Sequence, residues 1–174
     1  MCGIIGVIGT GDVTQSIFDG LKRLEYRGYD SAGIATIHDG QLDRRRAEGK
    51  LDALRETLAS SPLGGSIGIG HTRWATHGPA ITANAHPHRG ERVAVVHNGI
   101  IENYKDLKET LIADGISFSS DTDTEVIAHL FSQNLNGHDD IRQAAARTFA
   151  ALEGAYAIAL IVDGNEDEIV VARK

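Results

Sequence analysis

The sequence predicts an α+β fold in which helices pack on antiparallel β-sheets. Short apolar segments recur along the 174 residues, and Asp-Gly pairs at 39–40 and 163–164 separate two pairs of them. Asp-Gly favours the tight turn of a β-hairpin, which makes neighbouring strands antiparallel. Stretches with apolar residues at helical spacing lie between these hairpins. Strands joined in this way need a helix layer to cover one face, so a layered α+β domain spanning residues 1–174 is expected.

The N-terminal half is predicted to contain four strands and two helices. Strands are expected at 2–8, 32–37, 41–47 and 67–71, and helices at 13–24 and 51–59. Asp12 can cap the first helix, in which Val13, Ile17 and Leu21 share one face. The basic run 44–46 lies on the more exposed strand of its hairpin and is expected to be solvated.

The C-terminal half is predicted to begin after a polar loop at 72–92. Strands are expected at 93–97, 155–162 and 169–172, and helices at 104–114, from 125 onward and at 139–152. Asn103 can cap the helix at 104–114, and Gly115 can end it. Thr122 and Glu125 have the spacing of a capping box before the next helix.

Composition excludes several classes of partner. The formal net charge of −7 argues against nucleic-acid binding, which needs a basic surface. The sequence has no apolar run of the ~20 residues that span a bilayer, so no membrane association is expected. The first residues lack the pattern of a signal peptide, and one cysteine forms no internal disulfide. These features predict a cytoplasmic protein.

Cys2, the only cysteine, is the first candidate catalytic residue. Removal of Met1 would give it a thiol and a free α-amine on one residue. The thiolate is a strong nucleophile, and an α-amine with a pKa of about 7.7–8.0 can act as its base. The alternative interpretation is a cysteine that is there by chance or serves as a small buried apolar residue.

Asn98 and Gly99 form the next candidate site, because they follow a short apolar strand. The asparagine amide and the glycine N–H can together stabilise an oxyanion. Asn-Gly is also the favoured pair of a type I′ hairpin turn.

Arg73 can bind a substrate carboxylate through two parallel hydrogen bonds. Trp74 can cover a small polar ligand, and Thr76 and His77 can add hydrogen-bond donors. The alternative is a surface arginine beside a structural tryptophan. Asp123 can bind an α-ammonium group, and it can equally complement the dipole of the helix that follows.

The histidines at 71, 77, 86, 88 and 97 were tested as metal ligands. No spacing matches a common zinc site and no second cysteine is present, so no metal is expected. No cofactor is indicated either, since Gly9-Thr10-Gly11-Asp12 lacks the ending of a phosphate-binding loop.

Six segments together resemble the glutaminase domains of the glutamine–fructose-6-phosphate aminotransferase family, which are class II glutamine amidotransferases. These segments are 2–6, 23–33, 71–78, 84–88, 97–103 and 120–129. The resemblance implies the N-terminal nucleophile hydrolase fold, a four-layer αββα sandwich, and L-glutamine as substrate. It also implies that the last strands of the domain and the sugar-isomerising domain that receives the ammonia are missing here.

The same resemblance implies a role for each candidate residue. Cys2 would be the nucleophile, with Asn98 and Gly99 as the oxyanion hole. Arg73, Thr76 and His77 would bind the glutamine carboxylate, and Asp123 its ammonium group. Trp74 would belong to a lid, and Arg27 would support the nucleophile. A non-catalytic fragment that binds glutamine and needs a missing partner segment is the alternative.

Overall fold

The computed structural model describes residues 2–75, 78–135 and 140–174, with the side chain of Arg27 excepted. Its strands are β1 (Gly3–Ile8), β2 (Ser31–His38), β3 (Gln41–Glu48), β4 (Ile67–Arg73), β5 (His88–Arg89), β6 (Val93–Ile101), β7 (Gly154–Val162) and β8 (Val170–Arg173). Its α-helices are α1 (Thr14–Arg23), α2 (Leu51–Ser60), α3 (Tyr104–Ala113), α4 (Glu125–Leu135) and α5 (Ile141–Ala151). Within these residues, no helix has the length and apolarity that a membrane crossing requires.

The strands form two four-stranded antiparallel sheets. The first has the order β1-β4-β2-β3 and the second β5-β6-β7-β8. Helices α1 and α2 cover the first sheet through a core that includes Ile17, Leu21 and Leu54. Helices α4 and α5 cover the second sheet, where Phe131 is fully buried.

A third core joins the two sheets face to face and completes the four layers. Its members come from both sheets and are mostly small or β-branched: Ala35, Ile37, Leu42, Ile67, Ile69, Ala94, Val96, Ala159 and Ile161. Such side chains allow two pleated sheets to approach closely. The predicted αββα sandwich of antiparallel sheets is therefore confirmed.

The hairpin at 39–40 also connects the two sheets. Asp39 and Gly40 have φ of 50° and 74°, which fits the tight turn that Asp-Gly predicted. The Gly40 N–H donates to Glu166, and the Leu42 N–H donates to Asp163 at 2.7 Å. Charge-assisted hydrogen bonds therefore link the turn of one sheet to the loop between β7 and β8 of the other.

The prediction that the basic run 44–46 is solvated is wrong, because all three residues are partly buried. Arg44 donates to the carbonyl of Pro87 at 2.8 Å, and Arg46 donates to the carbonyls of Ala83 and Ala85 at 3.0 and 2.7 Å. Burial lowers the pKa of Arg44 to about 10. Both arginines hold the segment before β5 against the first sheet.

The strand expected at 93–97 is longer than predicted, because β6 continues through Asn98 and Gly99 to Ile101, paired with β7. The type I′ turn is therefore excluded. The predicted loop at 72–92 contains the short strand β5, which pairs with β6. The length of β6 and the presence of β5 both depend on pairing with another strand, which the local sequence does not reveal.

Two of the three predicted helix caps use other partners. The Asp12 carboxylate accepts from the Thr14 N–H at 2.8 Å, in line with its expected role. Asn103 instead donates to the Ala151 carbonyl at the end of α5. Glu125 does not form the expected box with Thr122, since its carboxylate accepts from the N–H groups and hydroxyls of Ser119 and Ser120.

We expect Gly33→Ala to lower the free energy of unfolding by about 1–3 kcal/mol, as overpacked sites do. A Cβ on Gly33 would lie 2.2 Å from the carbonyl oxygen of His86 and 2.8 Å from that of Arg45. Urea unfolding measures the change. Gly11→Ala is the control, since a Cβ there meets nothing within 4 Å. Equal stability of the two variants would contradict the close approach of the His86 backbone to Gly33 on β2.

Candidate active site

The sulfur of Cys2 lies at the end of the first sheet, beside the end of β4. Gly3 pairs with Thr72 across β1 and β4, which brings Cys2 next to Trp74. Cys2 Sγ accepts a hydrogen bond from the Trp74 N–H at 3.2 Å and lies 3.6 Å from the Trp74 carbonyl oxygen. Cys2 is partly exposed, so the interpretation of a small buried apolar residue does not hold.

A cavity of about 260 Å³ opens at this sulfur. Five of the lining residues were candidates from the sequence: Cys2, Arg73, Trp74, Gly99 and Asp123. Five others were not assigned to the site: His86, His97, Ile100, Thr122 and Thr124. Both sheets and the segment before α4 contribute, so the cavity exists only in the assembled sandwich.

Asn98 adjoins Cys2 but is not among the described residues that line this cavity. Its amide nitrogen lies 3.4 Å from the carbonyl oxygen of Cys2, and its amide oxygen lies 2.8 Å from Nε2 of His71. Asn98 and Cys2 together line a second, more open cavity of about 440 Å³. The structure thus places the Asn-Gly pair beside the cysteine.

Gly99 occupies a backbone position that other residues do not tolerate. Its φ is 125°, and a Cβ there would lie 2.1 Å from the carbonyl oxygen of Ala155 on β7. A glycine is required for conformational and steric reasons alike. Gly99 is exposed, so a ligand can come close to the backbone at this position.

Arg73 is 3% exposed, which excludes the interpretation of a surface arginine. Its guanidinium donates to the Asp30 carboxylate at 3.4 Å and to the carbonyls of Gly78 and Pro79 at 3.2 Å. Asp30 also accepts from the N–H of Ala75. The arginine is therefore held in a fixed geometry at the wall of the cavity.

Trp74 is 53% exposed and is one of the residues that line the cavity. Its ring packs on Gly28, where a Cβ would lie 2.6 Å from the indole. Two other predicted residues, Thr76 and His77, lie outside the described part of the chain. Arg27 belongs to a short 3₁₀ segment, Glu25–Arg27, and its side chain likewise lies outside the described part.

Asp123 is buried in the segment before α4 and is 4% exposed. One carboxylate oxygen accepts from the Ile101 N–H at 2.8 Å, which fixes the side chain against β6. Asp123 lies two residues before the first residue of α4, so its negative charge also complements the helix dipole. Both interpretations of this residue are compatible with the geometry.

A cluster of buried histidines forms the back of the site. His86 Nε2 and His97 Nδ1 both lie 2.9 Å from the hydroxyl oxygen of Thr124. The hydroxyl has one proton, so it donates to one ring and accepts from the other. The rings of His71 and His86 stack with centroids 4.2 Å apart. No grouping suitable for a metal ion occurs among the described residues.

Burial keeps His71, His86 and His88 neutral. It lowers the pKa of His71 to about 4 and that of His88 to about 3, and it lowers the pKa of His86 well below its usual value. Nearby positive groups add to the effect at each ring. The cluster therefore provides hydrogen bonds without charge at neutral pH.

A four-layer αββα sandwich with a cysteine directly before the first strand has the architecture of the N-terminal nucleophile hydrolases. Two solved structures share the whole fold of this chain at 30% identity. One is the glutamine phosphoribosylpyrophosphate amidotransferase of B. subtilis, complexed with ADP and GMP, with a TM-score of 0.80. The other is an allosteric regulatory enzyme of purine biosynthesis, with a TM-score of 0.84. This chain corresponds to 37% of each of those chains.

Residues 71–174 match the family model described as the glutamine amidotransferase domain, and the chain belongs to this family. It is 57% identical over 173 residues to a glutamine–fructose-6-phosphate aminotransferase (isomerizing) of Zymomonas mobilis subsp. mobilis. That match covers 99% of this chain and 28% of the relative. The chain thus spans less than a third of the length of that relative.

Sequence reasoning missed His71, Asp30 and Thr124 as members of the site. His71 and Thr124 were seen only as a possible metal ligand and as part of a helix-capping motif. Each makes its contact across the sandwich or between distant segments, with sequence separations of 27 to 45 residues. The one available signal was the occurrence of Asp30, His71 and Thr124 inside the quoted motifs.

We expect stability to fall as the pH drops from about 6.5 to about 4. In this window the unfolded chain binds protons at His71, His86 and His88, whose folded-state pKa values are lowered, so each favours unfolding by up to about 1.4 kcal/mol per pH unit. Above pH 6.5 all three are neutral in both states. Urea unfolding at pH 7.5, 6 and 5 measures the slope.

Glu125 also has a lowered pKa, but it acts in a lower pH range. Burial opposes its ionisation, while hydrogen bonds from His129 and Ser120 outweigh that effect. Its contribution is lost only below about pH 4.5.

The control for the histidine slope is His38→Asn, at an exposed position, which should leave the slope unchanged. A flat profile between pH 7 and 5 would contradict the neutral buried cluster.

Proposed function

We propose that this chain hydrolyses L-glutamine to glutamate and ammonia through a thioester on Cys2. The observation that carries the proposal is the partly exposed sulfur at a cavity that Arg73 and Asp123 also line. A nucleophile, a cation for a carboxylate and an anion for an ammonium group are the three elements that an α-amino acid amide requires. Family membership supports the same reaction.

Removal of Met1 would free the α-amine of Cys2 to act as the base. The sulfur attacks the side-chain amide carbon of glutamine, and the thiol proton passes through the α-amine to the leaving nitrogen. Ammonia departs when the C–N bond breaks, and a thioester remains. Water then hydrolyses the thioester, which releases glutamate and restores the thiol.

The oxyanion formed in both steps would be stabilised by the Asn98 amide and the Gly99 N–H. The contact between the Asn98 amide nitrogen and the Cys2 carbonyl supports this role, because it holds the donor beside the nucleophile. The positive φ of Gly99 supports it as well, since the backbone there has no Cβ to keep substrate away. Donors fixed in advance stabilise charge most effectively.

Arg73 would bind the glutamine carboxylate and Asp123 the ammonium group. Thr76 and His77 would assist Arg73, Trp74 would cover the bound substrate, and Arg27 would support the nucleophile. The fixed guanidinium of Arg73 and the buried carboxylate of Asp123 support these assignments, because substrate meets them without reordering.

In a longer protein, we propose that the ammonia serves the conversion of fructose 6-phosphate to glucosamine 6-phosphate. The name of the Zymomonas mobilis relative supports this use. The acceptor would be an isomerase domain that is not part of this chain. The cytoplasm is the proposed location, because the thiol must stay reduced.

Purified protein is expected to release glutamate from glutamine and to have a mass lower by one methionine. Cys2→Ala should abolish turnover while glutamine binding, measured by calorimetry, persists. A variant with an uncleaved N-terminal extension should also be inactive, because its α-nitrogen would be in a peptide bond. Binding without turnover in the processed wild-type chain would instead favour the glutamine-binding fragment.

Asn98→Ala is expected to lower kcat by about 10²–10³-fold and to leave KM for glutamine nearly unchanged. The donor acts on charge that develops only during the reaction, so its loss affects the transition state alone. Steady-state glutamate release measures both constants. Asn103→Ala is the control, since Asn103 contacts the end of α5. Equal changes in KM and kcat would argue against the oxyanion role.

A further inference from the structure

The orientation of the Asn98 amide decides whether it helps or hinders an oxyanion. The two ends of a primary amide have almost the same shape, yet one donates hydrogen bonds and the other accepts them. A turn of 180° about the last side-chain bond would direct the oxygen toward the developing negative charge. Some neighbour must therefore distinguish the oxygen from the nitrogen.

We propose that His71 is a positioning residue that holds the Asn98 amide with its nitrogen toward Cys2. This inference rests on the proposed function. His71 Nε2 lies 2.8 Å from Oδ1 of Asn98. On the opposite side, the Asn98 amide nitrogen lies 3.4 Å from the carbonyl oxygen of Cys2. A donor at one end and an acceptor at the other select one orientation.

A neutral His71 ring with its proton on Nε2 accepts only the oxygen end of the Asn98 amide as its partner. The ring is fully buried, and burial lowers its pKa to about 4, an effect that outweighs the opposing hydrogen bond with Asn98. The neutral ring has one N–H. The Cys2 carbonyl only accepts, which places the amide nitrogen on its side and Oδ1 toward His71, so this orientation requires the ring proton on Nε2. A turned amide would bring two donors together.

The His71 ring is on β4, one of the two central strands of the first sheet. His71 pairs with Ile4 on β1 and with Gly33 on β2, so β4 is hydrogen-bonded on both sides. The His86 ring stacks on it with an interplanar angle of 28°. The imidazole thus has little freedom to move away from Asn98.

His71 is not among the described residues that line the 260 Å³ cavity. An effect of His71 on catalysis would therefore pass through a neighbour, and Asn98 is that neighbour in our proposal because it contacts both His71 and Cys2. Loss of the imidazole N–H should reduce kcat and leave KM for glutamine largely unchanged. A residue with a purely structural role would instead lower the amount of folded enzyme.

The test compares His71→Leu and His71→Met, which lack the donor, with His71→Gln, whose amide nitrogen can replace Nε2. We expect a fall in kcat of roughly 10–10²-fold in the first two and at least partial recovery in the third, with KM within about twofold. Phe131→Leu, in the core between α4 and the second sheet, is the control for an effect of lowered stability on kcat. Normal kcat in His71→Leu and His71→Met would overturn the proposal.

A double-mutant cycle with Asn98→Ala separates a role through Asn98 from an independent one. If His71 acts through Asn98, then His71→Leu lowers kcat by less than about threefold once Asn98 is alanine. A full additional loss in the double variant would overturn the proposal. Alkylation of Cys2 by iodoacetamide forms no oxyanion, so its rate should be equal in all variants.

NMR of the Asn98 side chain needs no turnover, so it tests the positioning role of His71 independently of the proposed function. In ¹⁵N-labelled protein, the Asn98 side-chain NH₂ signals, assigned by their loss in Asn98→Ala, should shift in His71→Leu and shift less in His71→Gln. Wild-type protein that fails to hydrolyse glutamine would refute the function alone. Unchanged Asn98 signals in His71→Leu would refute the positioning role whatever the activity.

Discussion

The register of β1 against β4 is the constraint on which the site depends. It brings the sulfur of Cys2 to the backbone of Trp74 and leaves Arg73 at the adjoining wall. The stacked second sheet then places Asn98 against Cys2. A shift of one residue in this pairing would turn every side chain of β1 to the opposite face and separate the sulfur from both partners.

The sandwich concentrates polar groups at one end of an otherwise apolar interface between sheets. Alanine, valine and isoleucine side chains fill the middle of that interface, whereas His71, His86 and His97 lie behind the cavity. Buried polar groups are tolerated when they are hydrogen-bonded, and Thr124 and Asn98 supply those bonds. The apolar part holds the two sheets together, and the polar part gives the cavity its shape.

Local patterns were sufficient for the hairpins, the helices and the residues that carry strong chemistry, whereas the four αββα layers were implied by the family resemblance. The Asp-Gly hairpin, the apolar strands and the helix stripes each depend on nearby residues, as does the isolated Cys2. The extension of β6, the strand β5 and the anchoring arginines depend on partners from another strand or segment. The same limit applies to His71, whose partner is 27 residues away. Spacing along the chain cannot reveal such contacts.

Trp74 gives the protein a built-in optical reporter. It is the only tryptophan, its indole lies half in solvent against Gly28, and its backbone contacts the sulfur of Cys2. Indole emission responds to changes in solvent contact and to a nearby thiol. Binding of a molecule that changes the exposure of this indole can therefore be followed in real time by intrinsic fluorescence, without a label and without interference from another tryptophan.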